Sequence, residues 1–469
     1  MTTPAVQRSE PTGSSTAGRR PTLLVIGDTD SYVKWGAALA SRLPDGWDAE
    51  LVVVRNPMRP SARQLASALA GSRFAPDDAR DTTLADLGTL VRSLKPEAVL
   101  LSVRGPMVRV LVRHVVSREW RPVIVSGLPG ITIPAAVKAV VYREQADLVV
   151  LHSKREVREF AANARSLGVS TRFGLATFPF IPDVVPVAAH AAVGRIAAPA
   201  SEHVEGVGTA TAHGGADRGD VAERRRDSIV FATQAKVPSS RADRLLLLSW
   251  LVRLARSQPE SRVVIKVRAL AGEAQTHAEQ WDYAGLLEAP ELPALADGPV
   301  PGNLVVADGP MSEHLERASA FVTISSTAAL EAVAADVPAL LPTDFGVNAR
   351  LINLVFEGSG LLAGSDALVA GRFAEPDPAW RDDNYLHGRA NDDWAEALEA
   401  LVRRERVART NVLPQRFNRI GWGIRRAWER KRMLGDEDRT LSGSVAVAIA
   451  VPARRVVRVV RRIVRRAAA

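Results

Sequence analysis

The stretch "FVTISSTAALEAVAADVPALL" (Phe321–Leu341) predicts three structural elements in succession. Its apolar opening "FVTI" is typical of a buried strand, and it stops at two serines and a threonine. The small-residue segment that follows has apolar residues three and four positions apart, as in a helix, and "PALL" then begins a second strand. A strand, a helix and another strand form the repeating unit of a parallel sheet covered by helices. The stretch therefore predicts an α/β fold.

The same alternation runs through the rest of the chain in two blocks. In the first block, helical patterns separate the runs "TLLVIG" to Gly27, "AELVVV" to Val54, "AVLLSV" to Val103, "PVIVS" to Ser126 and "DLVVLH" to His152. In the second block they separate "SIVFA" to Ala232, "RVVIKV" to Val267, "NLVVA" to Ala307, "FVTI" to Ile324 and "PALL" to Leu341. The helices predicted from these patterns include Leu84–Leu94, Arg241–Ser257 and a short one over Met311–Ala318. We predict two doubly wound Rossmann-like domains, residues 21–182 and 228–410. Ligands of such sheets bind at the carboxyl ends of the strands, so we expect a cleft between the two sets of strand ends.

Four further segments differ in composition from these blocks. Residues 1–20 are polar and rich in Pro, Gly and Ser, and residues 183–227 contain few large apolar side chains, so we expect a disordered lead-in and a flexible linker or insertion. Residues 411–440 have a helical pattern. Residues 441–469 form a basic tail that contains "RRVVRVVRRIVRR" (Arg454–Arg466).

Composition excludes several classes of protein. The 469 residues are 46% hydrophobic and contain no cysteine, which excludes disulfides, thiolate metal sites and a cysteine nucleophile. The eight histidines lack metal-ligand spacing, so we expect no metal and no cofactor. The chain has no apolar run of roughly 20 residues and no apolar leader, and we expect it in the cytoplasm. Its net charge of +9 comes mostly from the tail, and no nucleic-acid-binding motif accompanies it.

Three hydroxyl residues lie where the strand "FVTI" ends. Ser325, Ser326 and Thr327 would bring their hydroxyls to the first turn of the helix, where free backbone N–H groups favour a phosphate. We interpret them as a seat for a diphosphate. The alternative is an ordinary helix N-cap that requires no ligand.

Glu331 is the single acid of the quoted stretch before Asp336, and capping does not explain it. A capping box would make Ala328 the cap residue, and alanine has no side chain that could cap. The predicted apolar stripe runs through Leu330 and Val333, so Glu331 lies beside the core. We interpret it as an acceptor for paired hydroxyls such as those of a ribose. A solvated surface glutamate is the alternative.

Basic residues follow two strands of the second block. The chain has only seven lysines, and Lys236 follows "SIVFA" whereas Lys266 lies within "VVIKVRA". Lys266 and Arg268 are two positions apart and would share one face of the strand. We expect these three cations to bind donor phosphates, although an edge strand with a solvated face would show the same pattern.

Two acids follow the first strand, in "VIGDTDSYVKW". Two carboxylates would repel a pyrophosphate, so we interpret Asp28 and Asp30 as candidates for a general base that acts on an acceptor hydroxyl. The alternative is that one of them only caps the next helix. The remaining candidates for the acceptor pocket come from this turn and from the ends of two later strands: Gly27, Ser31, Lys34, Arg104 and Gly127.

The basic tail has the pattern of an amphipathic helix. Its valines and isoleucine gather on one helical face, and its seven arginines lie opposite. About fifteen residues at 1.5 Å each reach only about 22 Å, which is too short to span a bilayer. We predict that the tail lies on an anionic membrane surface, with a solvated or RNA-binding tail as the alternative.

Several segments resemble a known class of protein. The stretch "TISSTAALEA" resembles the donor-binding motif of the GT-B class of nucleotide-sugar glycosyltransferases, and this resemblance implies that Glu331 contacts the donor nucleotide. With "DTDSYVKW", "FATQAKVPSSRADR" and "DFGVNARLINLVFEGSGL", the chain is similar, from about Leu23 to Leu362, to an actinobacterial family of glycosyltransferase-like proteins. Related capsule enzymes carry Lys-x-His-Pro after the second-domain strand, whereas this chain has "KVRA" from Lys266.

The residues and the resemblance together imply a metal-independent glycosyltransferase. It would move a sugar from a nucleotide-sugar donor to a hydroxyl of a glycan or lipid-linked acceptor in cell-envelope synthesis, at the inner face of the membrane. Three alternatives stay open: a nucleotide-sugar epimerase, a polyol-phosphate transferase, and a non-catalytic envelope-assembly protein.

Overall fold

The computed structural model describes residues 19–116, 120–179, 181, 226–234, 237–267, 281–407, 422–450 and 452. Most of the predicted lead-in, most of the predicted linker and the arginine-rich run Arg454–Arg466 lie outside the described residues. The predicted boundaries of the domains stay predictions.

The first sheet has seven strands in the order β3-β2-β1-β4-β5-β6-β7. Its central strand β1 is buried at every position and runs parallel to both neighbours, as expected for an apolar strand covered on both faces. The strands are β1 Thr22–Gly27, β2 Asp48–Val54, β3 Ala79–Thr82, β4 Ala98–Ser102, β5 Val123–Gly127, β6 Leu148–Leu151 and β7 Arg172–Leu175. The five predicted strands of the first block are confirmed, and β3 and β7 are additional.

The helices of this part of the chain begin with ordinary capping chemistry. In α3 the Thr83 hydroxyl accepts from the Asp86 N–H, and in α6 Ser153 accepts from Glu156 in the same way. The C-cap residue of α6 is Gly168, whose φ of 64° suits glycine. The bounds are α1 Asp30–Ala40, α2 Ala62–Leu69, α3 Leu84–Leu94, α4 Gly105–Leu111, α5 Val137–Arg143 and α6 Lys154–Leu167.

The second sheet has six strands in the order β10-β9-β8-β11-β12-β13. In β8, Ile229 and Phe231 pack into one apolar cluster, whereas Val230 and Ala232 pack into another. Because successive side chains of a strand point to opposite faces, both faces of this sheet are covered. The strands are β8 Ser228–Ala232, β9 Arg262–Lys266, β10 Leu304–Ala307, β11 Ala318–Val322, β12 Ala339–Pro342 and β13 Leu362–Ala363.

Helices again alternate with these strands. The prediction of a helix over Arg241–Ser257 is confirmed at both ends, whereas the predicted helix from Met311 ends at Glu316 because Ala318 already belongs to a strand. The bounds are α7 Arg241–Ser257, α8 Tyr283–Leu287, α9 Leu292–Leu295, α10 Met311–Glu316, α11 Ala328–Ala334, α12 Ser365–Val369, α13 Pro378–Asp383, α14 Trp394–Val407 and α15 Trp422–Leu434. Residues 441–450 are also helical. None of the helices within the described ranges is long and apolar enough to cross a membrane.

Contacts between Cα atoms divide the chain into two compact units. The first comprises residues 1–126, 142–148 and 395–469, and the second comprises residues 127–141 and 149–394.

The edge strand β7 is covered by side chains from much later in the second unit. An Asp393 carboxylate oxygen accepts from the Leu175 N–H at 2.6 Å, and an Asp392 oxygen accepts from the Thr177 N–H at the same distance. The Asp393 N–H donates in turn to the Leu175 carbonyl oxygen at 3.1 Å. These bonds occupy backbone groups that an edge strand otherwise leaves unpaired.

Candidate functional site

The carboxyl end of β1 carries the buried acid Asp28. Gly27 precedes it, and a Cβ at that position would lie 2.5 Å from Cγ2 of Val33 in α1. Glycine is therefore required for the close approach of the helix to the strand, which gives this predicted acceptor residue a packing role. The N-cap of α1 is Thr29, and its side chain makes no capping hydrogen bond. The alternative in which Asp28 caps the helix is therefore wrong.

Asp28 is bonded to Arg104, which follows β4, the neighbour of β1 in the sheet. The Arg104 Nε donates to Asp28 Oδ2 at 2.7 Å, and its backbone N–H lies 3.3 Å from both carboxylate oxygens. The Asp28 carboxylate is fully buried, whereas 25% of the Arg104 side chain is exposed. The structure thus brings a predicted catalytic residue and a predicted acceptor residue into one ion pair.

Other groups hold the guanidinium of Arg104 in place. It donates to Asn56 Oδ1 at 3.1 Å and to the sulfur of Met58 at 2.8 Å. The Asn56 amide nitrogen donates to the backbone carbonyls of Asp28 and Val54, both at 2.8 Å. Asn56 therefore positions Arg104 and fixes the loop after β1 at the same time.

A second guanidinium lies close to Asp28. Arg143, the last residue of α5, is buried, and its Nε donates to the Ser126 hydroxyl at 3.2 Å. Burial lowers the pKa of Arg143, whereas the neighbouring Tyr32 and Asp28 raise it. Burial also raises the pKa of the Asp28 carboxyl, and the Arg104 and Arg143 guanidinium groups lower it. Burial and the two guanidinium groups thus shift the pKa of Asp28 in opposite directions.

The other predicted acceptor-side residues lie at different depths. Asp30 begins α1 and is half-buried, and its Oδ1 accepts from the Ser31 hydroxyl at 3.4 Å. Ser31 and Lys34 are exposed. Gly127 is buried as the last residue of β5.

The predicted donor seat lies after β11. Ser325 is buried, and Ser326 and Thr327 are half-buried. The Ser326 hydroxyl accepts from the Ala328 N–H at 3.2 Å, whereas Thr327, at the N-cap of α11, makes no capping bond with its side chain. Ser326 therefore accepts from a backbone N–H of the first turn, although Thr327 occupies the N-cap position.

Glu331 lies in the first turn of α11 and is half-buried. Its neighbours Leu330 and Ala332 are fully buried, and so is Val333. The acid therefore lies beside the packed face of the helix, as its spacing predicts. Its contact with a nucleotide stays a prediction.

Of the three predicted donor-binding cations, Lys266 lies within the described residues. Lys266 is the half-buried last residue of β9, in register with Ala232 of β8 and Ala307 of β10. It therefore lies at the carboxyl end of three adjacent strands. Lys236 and Arg268 lie outside the described residues.

Tyr32, Asn56 and Arg143 complete the surroundings of Asp28, and sequence reasoning missed all three. Tyr32 is half-buried in α1; burial raises the pKa of its hydroxyl, and Arg143 lowers it. Tyr32 lies within the quoted motif "DTDSYVKW", which is a signal that could have found it. Arg143 belongs to no recognisable motif.

The second unit contains another buried acid that the sequence reasoning did not single out. Glu156 of α6 accepts from the backbone N–H groups of Thr132 and His152, both at 3.0 Å, and from the hydroxyls of Thr132 and Tyr385. Burial raises the pKa of Glu156, and these four donors lower it. The sequence "SKRE" (Ser153–Glu156) has a capping-box pattern, and this pattern could have drawn attention to Glu156.

Among the residues that the structure describes, no group of three or more histidine, aspartate or glutamate side chains is placed to hold a metal ion. The described sites are built from ion pairs, hydroxyls and single carboxylates.

Two parallel sheets flanked by helices, each with polar side chains after its strands, define an α/β protein of GT-B-like architecture. The chain belongs to the family described as "Putative glycosyltransferase (DUF6716)", which matches residues 23–401. No curated protein sequence matches the chain.

Several solved structures are similar in fold. UDP-GlcNAc 2-epimerase from Neisseria meningitidis, bound to UDP-GlcNAc, is 9% identical with a TM-score of 0.46, and the match covers 82% of this chain and 100% of that one. The same enzyme from Methanocaldococcus jannaschii is 10% identical with a TM-score of 0.45, over 82% and 100% of the two chains. The glycosyltransferase SnogD from Streptomyces nogalater is 15% identical with a TM-score of 0.35, over 84% and 96%.

Proposed function

We propose that the chain transfers a sugar from a nucleotide-sugar donor to a hydroxyl of a cell-envelope glycan or glycolipid. Its family membership across residues 23–401 is the observation that carries this proposal. The polar side chains after β1, β4, β9 and β11 support it, because ligands of parallel sheets bind at the carboxyl ends of the strands.

The donor would bind after β9 and β11. Ser325, Ser326 and Thr327 supply hydroxyls, and Lys266 supplies a cation for the diphosphate, together with Lys236 and Arg268. Glu331 lies beside the packed face of α11 and would accept from the ribose hydroxyls. In the transition state, the cations would stabilise the charge that develops on the departing nucleoside diphosphate.

The reaction would be a displacement at the anomeric carbon of the donor sugar. A bond forms between that carbon and the acceptor oxygen, the bond to the diphosphate oxygen breaks, and the hydroxyl proton passes to a carboxylate. Asp28 and Asp30 are the candidates for this base. Asp30 is favoured because it is half-buried at the start of α1, whereas Asp28 is enclosed and bonded to Arg104.

Two experiments test the assignment. Calorimetry with UDP, GDP and CMP should show binding of one nucleotide, and a protein that binds none of them would fit a non-catalytic scaffold. Product analysis with sugars of that nucleotide should show transfer only when acceptor is present. Turnover without acceptor would instead identify an epimerase.

The base assignment has its own test. Asp30→Asn should lower turnover at saturating donor and acceptor by about a hundredfold or more, because a positioned general base contributes roughly 10²–10⁴-fold. If Asp28→Asn and Asp30→Asn both leave turnover intact, the base lies elsewhere in the chain.

We also propose that the C-terminal region binds an anionic membrane surface at the cytoplasmic face. In the helix over residues 441–450, Leu441, Val445 and Ile449 are 86%, 56% and 51% exposed. Their spacing of four puts them on one face, immediately before the seven arginines of the tail. Apolar contact and attraction to anionic lipid would act together.

Flotation with vesicles containing anionic lipid tests this surface. A truncation ending at Gly443 should float far less than the full chain, and Leu441→Gln should reduce recovery further than Leu295→Gln. Leu295 is a matched control because it is an exposed leucine in the other contact unit. Equal recovery of the full chain and the truncation would contradict the proposal.

A further inference from the structure

The second unit contains an open cavity of about 530 Å³. One face of α6, both ends of α13 and the loop after the 3₁₀ turn Leu354–Phe356 line it, and we call it the α6–α13 cavity. Its lining residues differ from those of the candidate donor and acceptor sites. A cavity of this volume can hold a small organic ligand.

Two basic residues of α6 line the cavity, and both are paired with acids. Arg158 donates to the two carboxylate oxygens of Asp383 at 2.6 and 2.7 Å, and the Arg155 Nε donates to Glu159 Oε1 at 2.8 Å. The other Glu159 oxygen accepts from the Ala135 N–H at 3.0 Å. Each ion pair is neutral as a whole, so the net charge of the cavity depends on its other acids.

Two further acids line the cavity, Glu357 and Asp377, and both are exposed. Asp377 is the N-cap of α13, where its Oδ1 accepts from the Trp380 N–H at 2.9 Å. Neither acid forms an ion pair with any basic residue that the structure describes. The lining side chains therefore include four carboxylates and two guanidiniums. This excess of negative charge favours a cationic ligand.

A buried acceptor gives a second and independent reason to expect a ligand. Asn384 lines the cavity and is 3% exposed. Its Nδ2 donates to the Trp380 carbonyl oxygen at 3.0 Å, whereas its Oδ1 has no hydrogen-bond partner among the described residues. Exchanging the two amide atoms would place Oδ1 against that carbonyl oxygen, so the orientation is fixed. An unsatisfied buried acceptor is costly, and a ligand with an N–H donor would remove this cost.

We infer that the α6–α13 cavity binds a small organic molecule that carries two ammonium groups. An ammonium group has three N–H donors and no acceptor, so it can pair with a carboxylate and donate to Asn384 Oδ1. Two such groups would neutralise the excess charge. Within the described ranges, no three acidic or histidine side chains are placed to hold a metal ion, which favours an organic cation. The inference does not depend on the proposed glycosyl transfer.

Calorimetry on the full-length chain at constant ionic strength tests the binding, with the linear diamine putrescine as the probe. The parent should bind putrescine. It should not measurably bind butanediol, which has the same chain length and no charge. Equal binding of the diamine and the diol would overturn the inference, and so would displacement of putrescine by an equal concentration of magnesium ion.

A double variant tests the two acids that lack an ion pair. Glu357→Gln/Asp377→Asn should weaken putrescine binding about tenfold or more, because two charged partners are lost. Asparagine is also a good N-cap, so α13 should keep its start. The matched control is Glu260→Gln/Asp282→Asn, since Glu260 is exposed and Asp282 is the exposed N-cap of α8 in the same unit. The control should stay within about twofold of the parent, and equal weakening of both variants would overturn the inference.

A tethered cation provides a second test. Ala379 is exposed in the first turn of α13 and lines the cavity, so a longer side chain can be placed there. Ala379→Lys would bring its own ammonium group and should weaken putrescine binding about fivefold or more. Ala379→Gln, which is long and neutral, should weaken it less. Equal effects of lysine and glutamine would overturn the role of charge. Since these titrations require neither donor nor turnover, their outcome is independent of the proposed function.

Discussion

Asp28 and Glu156 are both fully buried carboxyls, and burial raises the pKa of both. Their partners differ. Asp28 is bonded to a guanidinium that reaches solvent, with a second one nearby, whereas Glu156 accepts from two hydroxyls and two backbone N–H groups, all neutral. The four described donors to Glu156 all belong to the protein. The comparison teaches that burial and a raised pKa do not by themselves separate a functional acid from a structural one, because two acids that share both properties can have partners of different charge and exposure.

The largest expected effect is on folding, at Glu156. Glu156→Ala would leave the Thr132 and Tyr385 hydroxyls and the His152 N–H without their acceptor. An orphaned buried donor costs roughly 1–3 kcal/mol, so the free energy of unfolding should fall by about 4 kcal/mol in urea titrations. Glu399→Ala removes only an i,i+4 pair with Arg403 on α14 and should cost under about 0.5 kcal/mol. If Glu156→Ala and Glu399→Ala lower the free energy of unfolding equally, the bonds to Glu156 do not contribute more than a surface ion pair.

Asp28→Ala should cost somewhat less, about 3 kcal/mol, because one partner, Arg104, can be hydrated after the loss. Urea titrations on Asp28→Ala and Glu156→Ala measure the two losses. A loss for Asp28→Ala that equals or exceeds the loss for Glu156→Ala would contradict the role given to the exposed part of Arg104.

Glu331 extends the comparison to a half-buried acid. Losing a charge-assisted hydrogen bond costs roughly 1.5–3 kcal/mol, so Glu331→Gln should weaken binding of the nucleotide about ten- to a hundredfold in calorimetry. Its melting temperature should change little, because the packed face of α11 is formed by other residues. A melting temperature well below that of the parent would instead identify Glu331 as a structural residue.

The dependence of stability on pH is the smallest expected effect. Since the pKa of Glu156 is raised in the folded state, the native chain keeps this proton at pH values where the unfolded chain has lost it. The parent should therefore lose stability relative to Glu156→Gln as the pH rises from the ordinary value of 4.5 towards the raised native value. Urea titrations at several pH values measure the difference. A parent that instead gains stability relative to Glu156→Gln as the pH rises would contradict the raised pKa.

Apolar periodicity predicted most of the fold. The helices Leu84–Leu94 and Arg241–Ser257 have the predicted bounds, and so does the strand Thr22–Gly27, because each buries an apolar face. The strands β3 and β7 were not predicted. Their sequences "ARDT" and "RFGL" are polar or mixed, as expected at the edge of a sheet, and neighbouring backbone rather than their own side chains makes them strands.

The sites were harder to predict than the fold. Asp28 and Arg104 were both chosen for their positions after strands, but their pairing depends on β1 and β4 being adjacent, which the order along the chain does not reveal. Arg143 joins them from a helix without any motif. Glu156 has a capping-box signal, yet its decisive partner Tyr385 lies 229 residues away. Local patterns predict where polar side chains lie, whereas long-range topology decides what they contact.

The aspartates that cover β7 have a consequence for synthesis of the chain. Asp392 follows Thr177 by 215 residues, so the backbone groups of this edge have no cover until the ribosome has added them. At about 5–20 residues per second, that interval lasts roughly 10–40 s. During it, the nascent chain presents an open strand edge that can pair with another chain. The two carboxylates can cover this edge only after the last strand of the second sheet, β13, has been synthesised.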